Sequence, residues 1–255
     1  MVDTRISLIE ELAANAWRPE IEQSLDGWRL RYNQGVNRRC NSVWPNQLGG
    51  NIDLEERLDL VEAFYARWQI RPRYQLCPAA KPENLAEILA ERGYTDDAHT
   101  AVQIAPIRAV HKTTLANPDY LVEIAPKFNQ PWFDLYTHTE GLDKLGADMR
   151  QGTLNRIGSQ AGFAILRIDG KTVAVGLGVL ERGWVGIFCM ATHPSFRRQG
   201  AASSLLNALA SWGKEQGANE MYLQVMENNP PALALYAYAG FEKVYQYYYA
   251  EGPVD

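Results

Sequence analysis

The stretch from residue 184 to residue 213, WVGIFCMATHPSFRRQGAASSLLNALASWG, constrains the fold more than any other part of the chain. Its first residues, Trp184 to Met190, are rich in β-branched and aromatic types and predict a buried strand. Pro194 cannot donate to a strand ladder and ends it. Ala202, Leu205, Leu206, Leu209 and Trp212 then recur at offsets 0, 3, 4, 7 and 10, which is one face of a helix. Gly213 and Gly217 weaken and close that helix. The order is therefore strand, short basic Gly/Ala turn, helix.

That order has a chemical consequence. The first amides of a helix lack intrahelical acceptors and carry the positive end of the helix dipole. An anion placed there accepts several backbone hydrogen bonds together. Gly200 lets the backbone come close, Ala201 and Ala202 keep side chains away, and Arg197 and Arg198 add positive charge. The turn suits a phosphate or pyrophosphate. It is neither a Walker loop, since no Gly-Lys-Ser/Thr follows, nor a dinucleotide fingerprint, since one glycine of three is present. A plain surface turn with solvated arginines is the competing reading of the turn taken alone.

A second segment follows. Met221, Leu223 and Val225 alternate with Tyr222, Gln224 and Met226, which predicts a strand. Asn229 then serves as an N-cap with Pro230 at the first helical position, and Gly240 suits a left-handed stop. Tyr236 lies inside this short helix, where core packing is its ordinary role, and a buried hydroxyl there needs a partner or solvent.

Together these residues resemble a family. Arg197, Gly200 and Ala202 fit [Q/R]-x-x-G-x-[G/A], and Asn229, Ala232, Leu235, Tyr236, Gly240 and Phe241 fit N-x-x-A-x-x-L-Y-x-x-x-G-F. In this order, over residues 160–245, they look like the GNAT superfamily of N-acetyltransferases. The resemblance implies an α/β (α+β) fold: a mixed, mostly antiparallel twisted sheet flanked by helices. It implies acetyl-CoA as co-substrate, with no metal. The backbone of Met190, Ala191 and Thr192 would pair with the pantetheine arm. The amides of Arg198, Gln199, Gly200, Ala201, Ala202 and Ser203, beside Arg197, would hold the pyrophosphate. Asn229 would touch the cofactor or an ordered water, and Tyr236 would lie near the thioester sulfur as a proton donor. Many members carry a glutamate five residues before the asparagine, whereas this chain has Gln224. Glu227, Cys189 and His193 are the other candidate bases, and a water chain is the preferred route for the proton.

The remaining residues predict the frame of such a domain. Tyr120–Lys127 reads as its first strand and 129–160 as one or two helices. Residues 161–168 and 171–180 form a hairpin on Asp169-Gly170. In the first half, residues 85–94 match the helix-Gly-aromatic ending at 233–241 with an offset of 147, counted from Gly93 and Gly240. Residues 28–32 and 36–43 read as a hairpin before it. The half is read as a degenerate repeat. Leu89 stands opposite Tyr236 and Pro82 opposite Asn229, while residues 50–55 stand opposite the turn and bring Asp53 and Glu55, which repel a phosphate. The expected organisation is a non-catalytic GNAT-like domain over 1–110, a linker over 109–118, and a catalytic acetyl-CoA-binding domain over 118–255.

Composition narrows the class further. A net charge of −5 over 255 residues argues against general nucleic-acid binding. Cys40, Cys77 and Cys189 are scattered and odd in number, against a disulfide framework or structural zinc. The start carries acids and no secretory h-region, and no apolar run approaches the ~20 residues of a membrane span. The expectation is a cytoplasmic enzyme with no membrane or nucleic-acid partner. It would transfer acetyl to a primary amine of a small molecule or peptide by direct attack on the thioester. A non-catalytic acyl-CoA sensor, or a transferase of another acyl group, are the alternatives. The sequence leaves the acceptor and the oligomeric state open.

Overall fold

The computed structural model describes residues 4–114, 117 and 119–253, which fall into two compact units. The first draws on 1–101, 148–156 and 245–255, and the second on 102–147 and 157–244. The first opens with α1 (Thr4–Ala16), β1 (Ile21–Leu25), β2 (Trp28–Tyr32), β3 (Val43–Trp44), α2 (Leu54–Ala66), β4 (Arg73–Leu76) and α3 (Leu85–Glu91). Strand β5 (Thr95–Pro106) starts there and ends in the second unit. Next come α4 (Ile107–Thr113), β6 (Leu121–Ala125), α5 (Gln130–Glu140) and α6 (Lys144–Asn155), whose last turns belong to the first unit. The second unit continues with β7 (Gln160–Ile168), β8 (Lys171–Glu181), β9 (Trp184–Thr192), α7 (Ala201–Glu215), β10 (Glu220–Met226) and α8 (Pro230–Tyr238). Strand β11 (Glu242–Glu251) starts in the second unit and ends in the first.

The strand order is β1-β2-β3-β4-β11 in the first unit and β5-β10-β9-β8-β7-β6 in the second. Neighbours β1/β2, β2/β3, β4/β11, β6/β7, β7/β8 and β8/β9 are antiparallel, while β3/β4 and β9/β10 are parallel. A parallel pair needs a crossover. Each unit supplies one, β3-α2-β4 and β9-α7-β10. The fold is a mixed, mostly antiparallel twisted sheet flanked by helices. The strand that follows α3 ends beside β10, and the strand that follows α8 ends beside β4.

The second unit shows why its crossover packs. Leu205, Leu206 and Leu209 of α7 have no solvent exposure, and burying each such side chain stabilises by about 1.5–3 kcal/mol. Trp212 lies so close to β7 and β8 that a Cβ at Gly162 or Gly178 would sit 2.9 or 3.0 Å from its ring. Trp132 of α5 is buried and donates its indole N–H to the carbonyls of Ala164 (3.0 Å) and Gly176 (3.2 Å). In the β7/β8 hairpin, Asp169 and Gly170 both have positive φ, 49° and 76°, as an Asp-Gly two-residue turn requires.

Three details differ from the sequence reading. Strand β2 pairs with β1 through the Asp26-Gly27 turn, and of the strand expected over 36–43 it meets only Val43, the first residue of β3. Residues 33–42 are instead an irregular loop sewn together by Asn41. Its Oδ1 accepts from the amides of Asn33 (2.7 Å) and Gly35 (2.9 Å), and its Nδ2 donates to the Asn37 carbonyl (2.7 Å). Secondly, the first part of the expected linker is helix α4, while Leu115, Ala116 and Pro118 lie outside the described residues. Thirdly, α7 passes through Gly213 to Glu215. Val185 packs at Gly213 so closely that a Cβ there would lie 2.5 Å from Val185 Cγ2.

Candidate active site

The turn between β9 and α7 is an array of open donors. Pro194–Phe196 form one turn of 3-10 helix, capped by His193, whose Nδ1 accepts from the Ser195 amide at 3.3 Å. Arg198 and Gly200 both have positive φ, 63° and 85°. Left-handed residues set into such a turn are the backbone pattern of anion-binding concavities. From Arg198 to Ser203, no backbone N–H donates to a described residue, and the first closed bond is Ser204 N–H to Gly200 O at 2.9 Å. A Cβ at Gly200 would meet nothing within 4 Å, so its place is set by backbone conformation and not by crowding. The turn is braced from outside. Gln199 Nε2 donates to Ser195 O (3.0 Å), Arg197 Nε to Thr192 O (3.3 Å), and the Tyr120 hydroxyl to Gln199 O (2.8 Å). Arg197 and Arg198 are exposed beside these amides.

Upstream, β9 parts from β10. The parallel register runs from Trp184/Glu220 to Ile187/Leu223 and stops there. On its other edge β9 stays paired with β8, as Phe188/Leu177, Ala191/Val175 and Thr192/Ala174, with an irregularity that leaves Cys189 and Met190 against Gly176. Cys189 has φ 52°, a left-handed conformation inside a strand, which marks a bulge. The edge of Met190–Thr192 turned away from β8 is thus without a strand partner among the described residues.

Tyr236 lies in α8, packed edge-on against Phe241 with ring centroids 5.9 Å apart. Its hydroxyl has no hydrogen-bond partner among the described residues, and burial pushes its pKa up to about 12. The hydroxyl therefore stays protonated at neutral pH. Asn229 is the N-cap, its Oδ1 accepting from the Ala232 amide at 3.3 Å, which leaves its NH2 free to donate. Of the candidate bases, Glu227 is exposed and ion-paired with Lys243. His193 is engaged in the cap, and Cys189 is half-buried at the bulge. Gln224 is the first β10 residue beyond the last parallel pair. Among the described residues no group of three or more His, Cys, Asp or Glu is placed to hold a metal, and no helix is long and apolar enough to cross a membrane.

A family model described as "Probable histone acetyltransferase Rv0428c C-terminal" matches residues 4–250. The chain belongs to this family. It is a GNAT-fold acyltransferase, and its chemistry is acetyl transfer. Among curated proteins it is similar to the "Uncharacterized N-acetyltransferase YobR" of Bacillus subtilis, 26% identical over 246 residues, covering 96% of this chain and 97% of that one. Its fold is similar to that of a GCN5-related N-acetyltransferase from Kribbella flavida, with a TM-score of 0.70, 15% identity, and 100% and 96% of the two chains covered. It is also similar to a tandem GNAT protein from the clavulanic acid biosynthesis pathway, with a TM-score of 0.64, 14% identity, and 99% and 90% covered.

The first unit of this acetyltransferase carries a counterpart of the donor array, and that counterpart is filled. Ahead of α2, the amides of Gly50 (3.1 Å), Asn51 (3.2 Å) and Ile52 (3.4 Å) all donate to the carboxylate of Asp26. Arg57 closes the site by pairing with Asp26, and its guanidinium stands 4.9 Å over the Trp28 ring. Burial opposes ionisation of Asp26, but the Gly50 and Asn51 amides and Arg57 outweigh it and hold its carboxyl below the usual range. The two acids that the sequence set against a phosphate act differently. Asp53 caps α2 through the Glu56 amide at 2.9 Å, and Glu55 pairs with Arg92 at 2.5 Å. The acceptor that occupies this turn is the protein's own Asp26.

Proposed function

We propose that the second unit binds acetyl-CoA and transfers its acetyl group to a primary amine of a small molecule or peptide. The first unit is then the non-catalytic half, and the catalytic segment is that expected over 118–255. The observation that carries the reading is the contrast between two equivalent turns. The donors of Arg198 to Ser203 are open, whereas those of Gly50 to Ile52 are filled by Asp26. The open amides, with Arg197 and Arg198, take the pyrophosphate. The pantetheine arm runs along the unpaired edge of Met190, Ala191 and Thr192, so that the thioester arrives where β9 and β10 part. Asn229 offers its NH2 to the carrier or to a water, and Tyr236 stands by the sulfur.

In this arrangement a neutral amine attacks the thioester carbonyl carbon, forming the C–N bond as the carbonyl electron pair moves to oxygen. A main-chain N–H at the bulge stabilises that oxyanion. The ammonium proton leaves to water, since no carboxylate stands ready: position 224 is glutamine, and Glu227 is held by Lys243. Collapse re-forms the carbonyl, breaks the C–S bond and releases the thiolate, to which Tyr236 donates a hydrogen bond. Holding the two reactants in line supplies most of the acceleration.

Calorimetry with acetyl-CoA on the wild type and on the Arg198→Glu/Gly200→Asp double variant tests the site. A thiol-release assay with a panel of primary amines tests the reaction. The reading expects binding that the double variant loses without unfolding, together with amine-dependent thiol release. Retained affinity in the double variant removes the site, and binding without release of thiol for any amine makes the chain a sensor.

A further inference from the structure

Gln224 carries two buried polar atoms with nothing to bond. Its Oε1 and Nε2 are shielded from solvent and have no hydrogen-bond partner among the described residues. A buried carboxamide left in this state destabilises the fold, and a partner from outside the chain, water or ligand, relieves it. Its position says which. Strand β10 alternates, so Gln224 shares a face with Tyr222, whose ring lies over Gly186 and edge-on to Phe188 of β9 at 6.1 Å. Gln224 is the first residue after the parallel register ends at Leu223/Ile187, and so stands where β9 and β10 part. A carrier bound by its pyrophosphate at the donor array and extended along Met190–Thr192 brings its thioester end towards that point.

We propose that Gln224 is a substrate-binding residue that grips the thioester end of the carrier. Its Nε2–H donates to a carbonyl oxygen there, and its Oε1 accepts the N–H of the neighbouring pantetheine amide. An amide presents one donor and one acceptor, which is the complement of what Gln224 leaves unsatisfied. This inference rests on the acetyl-CoA reading of the second unit. It gives position 224 a role that a carboxylate base could not fill, because an ionised carboxylate has no N–H to donate.

The experiment uses Gln224→Met, which keeps the length and removes both polar atoms, and Gln224→Glu, which keeps the acceptor and loses the donor. Each is titrated with acetyl-CoA and with 3′-phosphoadenosine 5′-diphosphate, the fragment that lacks the pantetheine arm, and each is melted without ligand. The expected result for Gln224→Met is acetyl-CoA affinity weakened by about 10-fold or more, unchanged fragment affinity, and a melting temperature equal to or above that of the wild type. Gln224→Glu is expected to weaken acetyl-CoA likewise and to leave the fragment unaffected. Unchanged acetyl-CoA affinity in either variant, or equal weakening of both ligands, overturns the proposal. A fall in the melting temperature of Gln224→Met overturns it too, since the amide would then be bonded within the protein. If the wild type binds neither ligand, the acetyl-CoA reading itself has failed, and Gln224 loses its role with it.

Discussion

Replacing Tyr236 by phenylalanine separates what the hydroxyl does for the reaction from what the ring does for the fold. Burial raises the hydroxyl pKa to about 12, and a thiol has a pKa of about 8.5. Full proton transfer to the leaving thiolate is therefore uphill by about 3.5 pKa units, or ~4.8 kcal/mol. What the hydroxyl can give is a hydrogen bond to a developing anion, worth about 1.5–3 kcal/mol. Because the sulfur gains charge only as the C–S bond breaks, that sum appears in kcat and corresponds to a loss of roughly 10- to 150-fold. The KM for acetyl-CoA should stay within about twofold. The hydroxyl has no described partner, so the variant should match the wild-type unfolding free energy within about 0.5 kcal/mol at pH 8. Stopped-flow thiol release and urea unfolding measure the two quantities. A second check follows from the sign of the shift. A raised tyrosine pKa means that the unfolded hydroxyl ionises first, so its contribution is complete below about pH 10 and fades as pH rises through the folded value of about 12. Wild type should lose stability relative to the variant across that window. An unchanged kcat, or a variant that unfolds at pH 8, would refute the reasoning.

Two further substitutions probe the first unit. Asp26→Asn keeps a residue suited to the positive φ of 40° but removes the anion from the amides of Gly50, Asn51 and Ile52. The urea midpoint should fall while acetyl-CoA still binds one per chain. The depressed carboxyl pKa gives stability above the ordinary value of 3.8 and loses it as pH falls further, so the two proteins should converge in acid. Glu10→Ala leaves the Tyr245 hydroxyl (2.7 Å), the Gln75 amide (2.8 Å) and the Trp44 indole (3.4 Å) without their buried acceptor. A loss of about 3–5 kcal/mol is expected in urea unfolding, and a loss below ~1 kcal/mol would show that water replaces the carboxylate.

The elements around the candidate site were legible in the sequence where local chemistry decides them. Asn229-Pro230 and Gly240 set both ends of α8, the leucine spacing set the face of α7, and Gly200 marked the turn. The β1/β2 hairpin carries the same Asp-Gly signal as residues 169–170, but β1 is polar and mostly exposed, and its alternation is weak. The strand expected over 36–43 fails because Asn41 satisfies the backbone of that loop with its own side chain, a contact no periodicity reveals. Asp26 lies 24 residues from Gly50, and Gln224 is notable only for bonds it lacks. Both are tertiary facts. The exchange of β5 and β11 is equally invisible to a scan for repeats, since each strand follows its own helix in the chain and ends in the other unit's sheet.

The central claim concerns one row of amides, and hydrogen–deuterium exchange reads those amides directly. With saturating acetyl-CoA, peptides that cover Arg198 to Ser203 should gain strong protection, and peptides that cover Gly50 to Ile52 should exchange as they do without ligand. Protection confined to the first unit, or none between Arg198 and Ser203, would contradict the account.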